Sequence, residues 1–174
     1  MGYLLEFEQW IQLNESFFNK SDGGQFAHLT DTSLLIMNKL IKGYGYSPKL
    51  AAALTGNMFR ESKFDPTDQG AFFGLIQWSK IRFNDFSKIG ITGAARFTID
   101  AQLKLIDYEF NNTEKSAKKA AEAAPNVEEA AYQIAAKYER CEVSDRRHPE
   151  RIQGAREIFN LYLKSTSPVA KVNH

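Results

Sequence analysis

The stretch AAALTGNMFRESKFDP, residues 51–66, allows one local solution and forbids its continuation. Its first nine residues are mostly small or apolar, and Ser47-Pro48 upstream starts a helix with proline at the first helical position, where the missing N–H costs nothing. Pro66 cannot continue that helix and pushes Asp65 out of the helical region. The helix must therefore end close to Glu61. A carboxylate is the charge least suited to the negative end of a helix dipole, so Glu61 asks for a reason other than helix stability.

The same punctuation divides the rest of the chain. Asp31 or Thr32 caps an expected helix through Leu34, Leu35, Met37, Leu40 and Ile41, stopped by Gly43 and Gly45. Residues 62–74 are rich in Gly, Pro, Asp and Gln and form a loop with room for a short hairpin. Helices are predicted over 75–88, 97–111 (Phe97, Leu103, Ile106, Phe110), 127–139 and 149–164, with Asn126 and Glu129 at capping-box spacing. YLLEFEQWIQL at 3–13 fits strand and helix periods equally, and SDGGQ at 21–25 reads as a turn or linker. The expected organisation is an N-terminal extension or linker over 1–30, one mostly α domain over 31–164, and a flexible tail over 165–174.

At 174 residues the chain suits a single well-buried core. A net charge of +1 argues against nucleic acid as a partner. No apolar run approaches the roughly 20 residues that span a bilayer, so no membrane is expected. Glu6 and Glu8 precede any basic residue, and no secretory signal is expected. Arg140, Arg146, Arg147, Arg151 and Arg156 read as a solvated face with neighbouring acids. Cys141 has no partner for a disulfide, and a packed structural thiol is the simpler reading than a nucleophile. His28, His148 and His174 lack ligand spacing, so neither metal nor cofactor is expected.

Glu61 is flanked by Leu54, Met58, Phe59, Phe64, Phe72, Phe73 and Trp78. A cleft built from these segments would surround the carboxyl with apolar surface, and desolvation favours the protonated form that a general acid requires. The plainer alternative is a surface glutamate paired with Arg60 or Lys63.

ESKFDPTDQGAFFGLIQW, residues 61–78, resembles the signature of the lysozyme-like superfamily, E-S-x-F-x-P followed by G-A-x-G-L-x-Q. The wider pattern includes Gly56-Asn57-Met58, Ala101-Gln102-Leu103, Tyr108-Glu109, Tyr138-Glu139-Arg140 and the segment from Arg151 to Tyr162. Over about 31–164 it is similar to the phage tail lysozymes, relatives of the lytic transglycosylases. The resemblance implies a lysozyme-like fold, with Glu61 as catalytic acid, Gln77 positioning substrate or holding the loop, and Ser62 supporting the glutamate. Gly70 and Gly74 would let backbone approach a sugar, and Phe72, Phe73 and Trp78 would be either core plugs or sugar-stacking walls. Only Thr67-Asp68-Gln69 separates Pro66 from Gly70, where transglycosylases carry a longer stretch.

A hydrolase that uses water needs a second carboxylate, about 5 Å from the acid when retaining and about 6.5 to 9.5 Å when inverting. Asp68 is the preferred candidate, because Asp65 fits a turn before Pro66 and Glu139 fits a salt bridge. Otherwise the substrate's own N-acetyl and 6-hydroxyl groups complete the reaction. The implied function is a muramidase acting on peptidoglycan glycan strands, carried in a virion tail to the bacterial wall beside tail or baseplate proteins. A lytic transglycosylase and a non-catalytic glycan-binding tail component are the alternatives.

Overall fold

The computed structural model describes residues 23–166, with side chains from residue 31. The strand-or-helix question at 3–13 and the tail beyond 166 lie outside the described residues. The first described element, α1, is Gly23–Asn38, prolonged by a π turn over Lys39–Gly43. It starts eight residues before the expected cap at Asp31, so the glycines read as a linker are its first turn. Amides there have no intrahelical partner in any case, which makes the position tolerant of residues that would weaken a helix interior. Gly45 (φ +70°) then reverses the chain, its N–H returning to the Ile41 carbonyl at 3.1 Å.

α2, Pro48–Ser62, is the axis of the domain. Ser47 caps it, its Oγ accepting from the Leu50 N–H at 3.2 Å, and every residue from Leu50 to Phe59 is buried. A helix apolar on all sides must be wrapped, and α6 (Val127–Gln133, continued by a π turn over Ile134–Glu139) and α7 (Pro149–Thr166) lie against it. Asn126 caps α6 through the Glu129 N–H at 2.8 Å. The expected capping box is only half made, because the Glu129 carboxylate turns to Gln133 and Arg147.

The helix predicted over 75–88 is shorter: α3 is Lys80–Phe83, followed by a 3-10 turn over Asn84–Ile89, and residues 75–78 belong to the preceding loop. After a 3-10 turn at Gly93–Phe97, Thr98 caps α4, Ile99–Asn111. α5, Lys115–Ala123, has no counterpart in the sequence reading. It buries only Ala117 and Ala121, and two alanines leave no apolar stripe to detect. Among the described residues there is no strand; the expected hairpin reduces to isolated bridges Gln69–Phe73 and Phe73–Trp78. No described helix is long and apolar enough to cross a membrane.

α2 and α7 cross at Gly56. A Cβ there would stand 2.6 Å from the Ala155 nitrogen and 2.7 Å from the Arg151 carbonyl oxygen, both backbone atoms that cannot swing aside. Gly56→Ala is therefore expected to force the helices apart and lower stability by about 1–3 kcal/mol. Chemical denaturation checks this, and an unchanged midpoint would mean that the crossing is looser than it looks.

Candidate functional site

α2 ends by a pair of left-handed residues. Lys63 (φ +52°) returns its N–H to the Phe59 carbonyl at 3.1 Å, and Phe64 (φ +67°) folds its ring back onto Phe59 with centroids 5.6 Å apart. Each such non-glycine residue costs on the order of 1–3 kcal/mol unless its surroundings hold it. The four found among the described residues, Lys63, Phe64, Gln77 and Arg140, all lie in the segments that flank Glu61 and its partners. Ser62 ties the helix end to the following loop, its Oγ donating to the Leu75 carbonyl at 3.0 Å. Glu61 is left at the rim, with its side chain 19% exposed.

The apolar surround expected for Glu61 is not what it meets. Arg151, from the first turn of α7, is fully buried and donates Nη2 to Glu61 Oε1 at 2.6 Å and to Asp145 Oδ2 at 2.8 Å. Its Nη1 donates to Glu139 Oε2 and to Asn57 Oδ1. Asn57 is fixed in turn, its amide donating to the Ala53 carbonyl at 2.7 Å and the Ala131 carbonyl at 3.2 Å. Arg60 adds a second cation, donating to Asp145 Oδ1 at 2.8 Å. The misfit between Glu61 and the helix dipole is thus answered by a guanidinium from a helix 90 residues away, not by hydrocarbon.

The solvated-face reading of the late arginines holds for Arg140, Arg147 and Arg156, which pair with Glu114, Glu129 and Glu128. It fails for Arg151. Burial pushes the Glu139 carboxyl up to about 8, against the pull of Arg151 and with the help of Glu61. Burial also works to raise Asp145, but its bonds to Arg151 and Arg60 prevail and hold it low. Burial raises the Cys141 thiol, in keeping with a structural role.

The loop beyond Glu61 is knotted by Gln102 of α4. This buried amide accepts from the Leu75 N–H at 2.8 Å and donates to the carbonyls of Pro66 at 2.7 Å and Arg96 at 3.1 Å. Gly74 (φ +65°) makes room for that knot, since a Cβ there would lie 2.6 Å from the Gln102 amide nitrogen. Gly70 faces open space. Gln77 holds the loop, donating to Asp68 Oδ2 at 2.9 Å and the Gly74 carbonyl at 3.1 Å. Asp65 makes the expected turn, accepting from the Thr67 N–H and hydroxyl.

The aromatic assignments need correction. Trp78 is fully buried, with its indole N–H on Glu109 at 3.0 Å, so it cannot line a sugar groove. Phe73 is partly buried and stacks on Phe83 with centroids 5.0 Å apart. Phe72, 50% exposed, is the ring of this loop that faces solvent. Behind the site, buried Glu109 also receives a two-pronged contact from Arg82 (2.9 and 3.0 Å) and the Tyr138 hydroxyl at 2.5 Å, which fixes the residue next to Glu139. Asn57, Gln102 and Glu109 enter the sequence pattern without a role of their own, and Arg151 only as part of a solvated face; buried polar residues inside apolar stripes were the available signal.

Gln102→Leu would leave the Leu75 N–H and two carbonyls without partners, at about 1–3 kcal/mol for each buried group. Its expected result is faster hydrogen exchange at Leu75 with the helices still protected; protection equal to wild type would contradict the knot.

A family model described as phage tail lysozyme matches residues 31–162. No curated protein matches the chain.

Proposed function

Because the chain belongs to the phage tail lysozyme family, we propose that it is a muramidase, cutting the β-1,4 bond between N-acetylmuramic acid and N-acetylglucosamine in peptidoglycan. At the coarse level, membership carries a lysozyme-like, glycosidase-type action on peptidoglycan. The observation that carries the finer reading is Glu61 itself: a partly exposed carboxyl at the rim of a buried helix, held in one place by Arg151 and flanked by a loop that Gln102 ties down at Leu75 and Pro66. In this role Glu61 delivers a proton to the leaving glycosidic oxygen. Asp68, half-buried and oriented by Gln77, is the carboxylate we assign to the attacking water. Transport on a virion tail to the cell wall fits the near-zero net charge, since an enzyme carried to its substrate gains little from electrostatic steering.

A second reading, a lytic transglycosylase, is favoured by one feature. Asp68 already has a partner in Gln77, and Glu139 is buried on Arg151, which leaves the sugar's 6-hydroxyl as an available nucleophile. Mass spectrometry of fragments released from purified insoluble peptidoglycan separates the cases. Free muramic acid ends, together with loss of release in Asp68→Asn, support the hydrolase. Ends lighter by one water support the transglycosylase. Retention on peptidoglycan without release would make the protein a glycan-binding tail component.

A further inference from the structure

Three carboxylates, Glu61, Glu139 and Asp145, converge on two guanidinium groups, Arg151 and Arg60. Fully ionised, this junction would carry one excess negative charge, and at its buried end, Arg151 and Glu139, low-dielectric surroundings penalise unbalanced charge most. Asp145 is bound by both arginines, and Glu61 reaches solvent. Glu139 differs from both: its side chain is 4% exposed, and its Oε1 is buried with no hydrogen-bond partner among the described residues. An anionic oxygen left in that state is far costlier than a neutral carboxyl.

We propose that Glu139 and Glu61 share one proton across Arg151, so that Glu139 is a positioning residue that stores the proton Glu61 needs when glycan binds. In the resting form the proton sits on Glu139 Oε1 and Glu61 is the counter-ion of Arg151. In the reactive form the O–H bond at Glu139 is broken, one is made at Glu61, and Arg151 takes Glu139 as its counter-ion; the junction's net charge does not change. Glu61 then gives its proton to the leaving oxygen, the attacking water's hydroxyl joins the sugar, and the proton Asp68 takes from that water returns through solvent to the junction. The elevated Glu139 carboxyl agrees with the resting form. The charged and titratable groups around Glu139 are Arg151 from α7, Glu61 from α2, and Asp145 and Cys141 from the segment after the π turn, with Arg60 reaching in through Asp145. The neighbouring Tyr138 hydroxyl is turned away to Glu109.

This rests on Glu61 being the acid, but it has a test that does not require cleavage. When one proton is shared by two coupled sites, the fraction on Glu61 is independent of pH for as long as that proton is present. Carbon-13 NMR of the glutamate carboxyls in the free protein is expected to show the Glu139 carboxyl ionising near pH 8 and the Glu61 signal shifting at the same pH. In Glu139→Gln that shift at Glu61 should vanish. Correspondingly, fragment release by wild type should hold a plateau up to that pH, whereas in Glu139→Gln the plateau should be lost. Glu139→Asp, which keeps a titratable carboxyl, should restore the plateau. A Glu139 signal titrating in the ordinary carboxylate range, or a Glu61 signal unmoved by Glu139→Gln, would overturn the shared proton. Should wild type release no fragments at all, the muramidase reading fails while the NMR titration still decides this one.

Discussion

Arg151→Met is expected to destabilise the protein by about 3–5 kcal/mol, because removing one partner of a buried ion pair strands the other. Arg151 holds three carboxylates: Glu139 is almost fully buried, Glu61 is only 19% exposed and has no other cation in contact among the described residues, and Asp145, 25% exposed, keeps Arg60. Methionine fills a comparable volume, so the loss isolates charge rather than packing. In a domain of this size such a loss lowers the melting temperature by on the order of 10 °C. The pH dependence separates this from a simple cavity. Glu139 is raised in the folded protein, so its share of stability is full below the ordinary carboxylate range and is lost as pH rises towards about 8. Without Arg151 the penalty for ionising Glu139 grows, so the gap should be smallest at about pH 5 and widen above about pH 8, where the wild-type carboxyl ionises and the variant's stays neutral. Asp145 is held low and acts in the opposite sense, its stability being lost only as pH falls below the ordinary range. Equal melting temperatures for variant and wild type at both pH values would contradict the junction.

The second large effect is on rate. Glu61→Gln keeps shape and one acceptor for Arg151 but carries no transferable proton. General acid catalysis contributes typically 10²- to 10⁴-fold, and turnover should fall by about that factor with little change in stability. If anything, the variant relieves the crowding of acids on Arg151, so a modest gain in melting temperature is consistent with the account.

Much of the frame was legible locally. Ser47-Pro48 and Phe64-Asp65-Pro66 bracket α2, and Asn126 marks the start of α6, because caps and prolines act through the nearest few residues. What escaped depends on long-range placement. Arg151 sits in a run in which Arg147 and Arg156 do find surface acids, and nothing local distinguishes it; only the close crossing at Gly56 carries it beneath Glu61. Trp78 reads from sequence as either a core plug or a groove wall; the chain's left-handed turn at Gln77 (φ +52°) is followed by an indole in the core that meets Glu109, so the plug is the correct reading. Gln102 lies between Ala101 and Leu103 on a buried helix face, and a polar residue there is a signal that sequence reading can weigh only once its partners are known. The glutamate itself was placed correctly at the end of α2, but for a reason that needed revision: its environment is an ion-pair junction, not a greasy pocket.

The most direct test of the central claim is a time course of new glycan ends released from one peptidoglycan preparation by wild type and Glu61→Gln at matched folded concentration. The account predicts steady release by wild type and release slower by at least about a hundredfold in the variant; equal rates would remove Glu61 from the chemistry and contradict it.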